Sequence, residues 1–318
     1  MTIAMTARQQ EELNGRGFTV IEALLGPSEL EVVSTAMDQV AESVRSARGL
    51  SPDESLSLRN GIARHEALLD LVDHPLVLPL VVDAMGWNIQ NRDSVFDYKA
   101  PLAADCDPGE LALGWHFDYE EEFAGTTVDG VMPLLDFKVG WYVSDHSEPG
   151  HSTILLVPGS FRWNAEQRAT WETRVDPADI FELRVPAGSV MLWRPTLLHS
   201  VTPNQSKKFR KSLYVSYGPR WVRPSGYLDQ DPDLVERSSP IRRQLLGAMG
   251  DGSNRLGADP VNGPSSQYWF SDRWDSVPLR AWAMEQAGAK THDWGLGFGA
   301  THTKGPGFEF TQKKVPVR

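Results

Sequence analysis

Apolar residues recur three and four positions apart in the first part of the chain, and nearer to every second position further on. Residues 6–15 read as a helix ending near Gly15-Arg16-Gly17, followed by a short strand at Phe18-Thr19-Val20-Ile21. Gly26-Pro27-Ser28 makes a turn whose serine can start a helix, because its side-chain oxygen takes up a free N–H of the first turn. The next helix, roughly 28–47, puts Leu30, Val33, Ala36, Met37 and Val40 on one face, the stripe of a helix packed on a sheet. Leu50 to Asn60 reads as polar and irregular. Two helices are predicted at 64–73 and 75–85, then a strand at 89–98.

Beyond residue 100 the texture changes. Short strand-like runs are predicted at 137–143, 152–157, 181–185, 188–194 and 211–218. Their boundaries are Pro149-Gly150, Pro158-Gly159-Ser160, Pro186-Ala187-Gly188 and Pro203-Asn204, residues that favour turns. Helices come first and strands later, with no βαβ alternation. The expected class is mostly β with flanking helices, a cupin-like jelly roll wrapped by N-terminal helices. After Pro219 the pattern fades, with one short helical stretch near 240–249. Tyr268, Trp269, Phe270, Trp274, Trp282 and Trp294 crowd the segment 268–294. No repeat and no linker stands out, so the expectation is a single domain over 1–318. Its core is about 10–220, and 221–318 is an aromatic-rich extension serving as a lid, a dimer surface or late core packing.

Composition narrows the functions. The 318 residues, 41% hydrophobic, suffice for a large core. A net charge of −11 argues against nucleic acid and anionic membranes as partners. Cys106 is the only cysteine, which excludes internal disulfides and thiolate clusters; any metal needs nitrogen and oxygen ligands. With no leader pattern and no apolar run of membrane-spanning length, the reading is a cytoplasmic protein, monomeric or homodimeric. Asn204-Gln205-Ser206 matches a glycosylation sequon by chance.

The chemistry-bearing residues are His116 and Asp118 in Gly114-Trp115-His116-Phe117-Asp118, and His199, with Arg210 eleven residues further on. Positions i and i+2 of a strand share a face, so His116 and Asp118 can point together into a barrel. Two histidines and a carboxylate on one face of an octahedron leave three positions open, the arrangement suited to non-haem Fe(II). Alternation over 211–218 places Arg210, Ser212 and Tyr214 on one face, where an arginine fork binds a carboxylate and a hydroxyl adds a bond. Taken singly, each has an ordinary alternative: a turn for Asp118, a hydrogen-bonded core residue for His199, a solvated charge for Arg210.

In order along the chain, Gly17-Phe18-Thr19-Val20-Ile21, Leu25-Gly26-Pro27-Ser28-Glu29-Leu30, Trp115-His116-Phe117-Asp118 and Asp129-Gly130-Val131-Met132-Pro133 are joined by three further blocks. These are Lys138-Val139-Gly140-Trp141-Tyr142-Val143-Ser144-Asp145, Leu155-Leu156-Val157-Pro158-Gly159-Ser160, and Ala187-Gly188-Ser189-Val190 followed by His199 and Arg210. Over about residues 10–220 the chain resembles the phytanoyl-CoA dioxygenase-like (PhyH) family of Fe(II)- and 2-oxoglutarate-dependent oxygenases. The resemblance implies a double-stranded β-helix with His116, Asp118 and His199 as iron ligands. It also implies Arg210 as partner of the 2-oxoglutarate C5 carboxylate, with Ser212 as helper, and places Thr153 where related enzymes present a hydroxyl to the co-substrate. Lys138 and Trp141 either line the pocket or, for Trp141 above all, pack the core. His146 and His151 read as loop residues.

The implied reaction consumes 2-oxoglutarate and O2, releases succinate and CO2, and oxidises an unactivated C–H bond of a small molecule, with hydroxylation as the default. Chlorination is disfavoured, because the enzymes that perform it lack the H-x-D carboxylate, present here as Asp118. The alternatives are a cupin-like metalloenzyme without 2-oxoglutarate, against which Arg210 argues, and a non-catalytic jelly-roll module. Glu120, Glu121 and Glu122 suggest a cationic substrate, while Arg220 and Arg223 suggest an anionic one.

Overall fold

The computed structural model describes residues 5–118, 127–128, 131–248 and 277–287. Two antiparallel sheets face one another, and helices cover the outside of the larger. In chain order the elements are α1 (Ala7–Gly15), β1 (Phe18–Ile21), α2 (Pro27–Arg48), β2 (Leu56–Arg59), α3 (Glu66–Leu69), α4 (Leu78–Met85), β3 (Ile89–Lys99), β4 (Phe137–Tyr142) and β5 (Ile154–Leu156). There follow α5 (Ala165–Ala169), α6 (Trp171–Arg174), β6 (Phe181–Glu182), β7 (Ser189–Trp193), β8 (His199–Val201), β9 (Arg210–Pro219), α7 (Pro232–Arg237), α8 (Pro240–Leu245) and α9 (Pro278–Ala287). The larger sheet runs β1-β7-β4-β9-β3-β2 and the smaller β6-β5-β8.

Period-two alternation divides each strand of the larger sheet between two cores. Val139 and Trp141 of β4, Val190 and Leu192 of β7, and Leu213, Val215 and Tyr217 of β9 point outward. They pack with Val33, Ala36, Met37 and Val40 of α2 and with Val81 and Val82 of α4. Tyr142, Met191 and Trp193 point inward and meet Ile154, Leu156, Leu183, Val185 and Leu197 from the smaller sheet and its flanks. Trp141 is therefore core packing. The turn before β7 needs Gly188, whose φ is 83° and whose absent Cβ would lie 2.9 Å from the Leu25 carbonyl oxygen.

The jelly roll wrapped by helices is as expected, with local corrections. The segment read as irregular contains β2, in which Leu56 and Leu58 are buried and Ser57 and Arg59 are exposed. The helices predicted over 64–73 and 75–85 shrink to α3 and α4. The chain between them is held by turns around His74, whose carbonyl accepts from Val77 N–H at 3.0 Å. Only Phe181 and Glu182 of the run 181–185 pair as strand, although Leu183 and Val185 are buried.

The described part of the C-terminal segment buttresses the outer core. Leu245, Leu246, Val277, Leu279 and Ala283 join Trp87 and Ile89 there, and Trp282 packs against them. Gln244 Nε2 donates to the Trp87 and Ile89 carbonyls at 2.9 and 3.1 Å. For these residues late core packing, not a lid, is the observed role. Tyr268, Trp269, Phe270, Trp274 and Trp294 lie outside the described residues, as do Glu120–Glu122. Among the described residues no helix is long and apolar enough to cross a membrane.

Candidate metal centre and co-substrate pocket

His199 opens β8, and the segment carrying His116 pairs with it along the edge of the smaller sheet. The two residues exchange N–H···O=C bonds of 3.0 Å in both directions. Asp118 does not continue a strand; its N–H donates to the Pro195 carbonyl at 3.1 Å and the residue sits in a turn. Backbone contacts thus fix all three positions. His116 Nδ1 lies 2.8 Å from the Gly114 carbonyl oxygen and His199 Nδ1 2.8 Å from that of Leu197. A carbonyl only accepts, so each Nδ1 carries the proton and each Nε2 is left as a lone-pair donor.

Those nitrogens converge on Asp118. His116 Nε2 is 3.5 Å from Asp118 Oδ1, His199 Nε2 is 3.7 Å from Oδ2, and one ligand atom from each residue lies within 4.8 Å of the others. Nitrogen and carboxylate donors at this separation fit a divalent first-row metal. Burial would push the Asp118 carboxyl up, but the Lys138 ammonium beside it holds it well below the usual carboxylate range. Burial pushes His199 down to about 4, and the Asp118 carboxylate beside it raises His116. Both the carboxylate and the deeper imidazole are therefore in the ligand-competent form at neutral pH. Lys138, on the inner face of β4, ion-pairs with Asp118, and its ammonium lies 5.3 Å from the centre of the Trp193 ring.

Further along the same inner face lies a second polar cluster. Arg210 opens β9 and is 2% exposed. Its Nη1 pairs with Asp97 of β3 and its Nη2 donates to the Tyr214 hydroxyl at 2.5 Å. Arg210 Nε and Ser212 Oγ are buried without a hydrogen-bond partner, and the Tyr142 hydroxyl lies beside Tyr214. A small carboxylate, accepting from Arg210 and Ser212, fits them.

Thr153 does not join either cluster. Ser152 adopts φ 56°, so the strand starts at Ile154, and Thr153 shares the outward face with Leu155. Its hydroxyl donates to Glu182 Oε1 at 2.7 Å and lies 3.1 Å from Thr202 Oγ1. The expectation that it meets the co-substrate is corrected on that ground. His146 and His151 are loop residues, as read. The Asn204 amide of the sequon is buried and donates to the Lys99 and Lys208 carbonyls. Asp97 and Tyr142 escaped the sequence reading, because only strand register shows that they sit beside Arg210 and Ser212.

A jelly roll with a facial His-Asp-His set and a buried arginine deeper between the sheets is the frame of an Fe(II)- and 2-oxoglutarate-dependent dioxygenase. The family model described as Phytanoyl-CoA dioxygenase (PhyH) matches residues 13–212, and the chain belongs to that family. It is 24% identical to a probable alpha-ketoglutarate-dependent hypophosphite dioxygenase of Stutzerimonas stutzeri, covering 76% of this chain and 90% of the relative. Two solved structures share the fold. HygX from Streptomyces hygroscopicus with nickel and 2-oxoglutarate bound matches at TM-score 0.55 and 17% identity, covering 72% of this chain and 97% of its own. EctD from S. alaskensis with 2-oxoglutarate and 5-hydroxyectoine matches at TM-score 0.55 and 17% identity, covering 75% and 86%. The protein is an Fe(II)- and 2-oxoglutarate-dependent dioxygenase.

Proposed function

We propose that His116, Asp118 and His199 hold the Fe(II) and that Arg210, helped by Ser212, holds the distal carboxylate of 2-oxoglutarate. The enzyme then oxidises an unactivated C–H bond of a small molecule, with hydroxylation as the outcome. The observation that carries this reading is the convergence of two Nε2 atoms on one carboxylate between the sheets, with a buried arginine further along the same face. When bound, iron and 2-oxoglutarate supply O2 activation coupled to decarboxylation, releasing succinate and CO2. The protein supplies orientation and exclusion of water. Gly114 and Leu197 carbonyls aim the imidazoles, Lys138 neutralises Asp118, and Trp193 stacks edge-on to His199 with centroids 4.7 Å apart. The shared core of β3, α8 and α9 supports a single domain over the whole chain, and the lone cysteine supports a cytoplasmic site of action, as monomer or homodimer.

The test is anaerobic titration of the purified protein with Fe(II) and 2-oxoglutarate, followed by succinate release on admission of O2. His116→Ala is expected to lose the iron-dependent absorption and the succinate. Succinate release that survives in His116→Ala and His199→Ala would sink the reading.

A further inference from the structure

We propose that the connection between β5 and β6 is a clamp that sets the geometry of the metal centre, and that Arg168 and Trp171 are its positioning residues for His116 and Asp118. The proposal rests on the assignment of His116, Asp118 and His199 to the iron.

The three proposed ligands are held unequally. The His199 side chain is 6% exposed and stands edge-on against Trp193, whereas that of His116 is 53% exposed. Backbone bonds to His199 and Pro195 fix where the His116–Asp118 segment runs, not how it is turned. The side chains that alternate with the ligands supply that. Trp115 and Phe117 are half-buried, yet they belong to neither apolar core. The Trp115 ring centre lies 5.6 Å from that of Trp171 in α6. The Phe117 ring meets Trp163 edge to face at 6.3 Å, and the Arg168 guanidinium of α5 lies 4.3 Å from its centre. Arg168 is buried, and its Nε donates to the Trp163 carbonyl at 3.1 Å, so cation and indole reach Phe117 as one unit.

The same connection is anchored beside the third ligand. Val157 N–H donates to the Leu198 carbonyl at 2.9 Å, and Leu198 N–H donates to Ser160 Oγ at 2.8 Å. Asn164 and Gln167 then close a capping box at the start of α5. One stretch of chain, 157–174, thus grips the residue before His199 and the residues before His116 and Asp118. None of these contacts reaches the metal. They act by restricting His116 and Asp118 in advance, so that less freedom is lost when the metal binds.

The test is calorimetric titration of the metal-free protein with Co(II), then of the Co(II)-saturated protein with 2-oxoglutarate. Trp171→Ala and Arg168→Met are each expected to bind Co(II) about three- to tenfold more weakly, the worth of one aromatic contact. Trp171→Phe, which keeps a ring, should recover most of that loss. Affinity for 2-oxoglutarate at saturating Co(II) should stay within about twofold of wild type, since Arg210 is untouched. In metal-free Trp171→Ala the His116 and Asp118 amides should exchange their hydrogens faster than in wild type. Unchanged Co(II) affinity in Trp171→Ala, or equal weakening of Co(II) and 2-oxoglutarate, overturns the proposal. A wild type that takes up no Co(II) overturns the ligand assignment instead. Trp171 is half-exposed on a short helix, so its variants decide the matter even where Arg168→Met does not fold.

Discussion

His116 and His199 are backbone partners: each donates its N–H to the other's carbonyl at 3.0 Å, although they stand 83 positions apart in the chain. Two proposed metal ligands are thus joined through the ladder rather than through their side chains. This pairing needs no metal to form, so metal binding should add stability rather than create the fold. Metal at about 100 times its dissociation constant stabilises by roughly 2.7 kcal/mol, a rise of several degrees in Tm. His199→Ala should melt at a temperature that no longer responds to Fe(II) or Co(II). An equal rise in wild type and variant would remove His199 from the ligand set.

Thr153 offers a contrasting prediction. Its hydroxyl is bonded to Glu182 and Thr202 on the outer face of the smaller sheet. Thr153→Val should leave the affinity for 2-oxoglutarate unchanged and lower stability by about 1 kcal/mol, the usual worth of one such bond. A tenfold loss of 2-oxoglutarate affinity, measured by titration of the metal-loaded protein, would return Thr153 to the pocket.

The proposed metal ligands could be picked out in the sequence because chemistry restricts them, and the structure brings His116, Asp118 and His199 together. Only a few residue types bind iron without thiolates, and His116, Asp118, His199 and Arg210 stood in a meaningful order. Helix α2 and strand β9 were legible because 22 and 10 residues carry several periods of their pattern. Strand β8, at three residues, carries none, so its place in the smaller sheet was invisible. Thr153 was placed at the co-substrate by resemblance alone, and only its bonds to Glu182 and Thr202 show which way its hydroxyl is used. Asp97 and Tyr142 gain their meaning from register across β3, β9 and β4, a tertiary property.

Acid should unfold the protein partly through His146. Burial, with the Arg210 charge outweighing that of Asp145, pushes its pKa down to about 3, against 6.5 for a free imidazole. Unfolding lets it take up a proton anywhere between those values, so stability falls as pH drops from about 6.5 towards 3. The slope is about 1.4 kcal/mol per pH unit for one group. Between pH 7 and pH 5 the wild type should lose about 2 kcal/mol more than His146→Gln in urea unfolding. Parallel losses in the two proteins would show that His146 is not a source of the acid sensitivity.

Arg92 and Asp136 form the buried ion pair on which a last stability prediction rests. Both are 2% exposed, and Arg92 Nη1 lies 2.9 Å from Asp136 Oδ2. The arginine reaches its partner by crossing β9 at Gly218, where a Cβ would stand 2.3 Å from Arg92 Cδ and 2.8 Å from the Leu135 carbonyl oxygen. Burial already pushes the Asp136 carboxyl up to about 7, so removing Arg92 leaves a buried, protonated acid without its main partner, which destabilises by about 1–3 kcal/mol. Arg92→Leu should therefore lower the urea midpoint markedly, and Gly218→Ala should do so too, because it pushes the arginine off its path. Arg92→Leu combined with Asp136→Leu should recover most of the loss, since two apolar groups leave no charge unpaired. A double variant as unstable as the sum of the single ones would mean that the two side chains act independently, and that the pair contributes no coupling of its own.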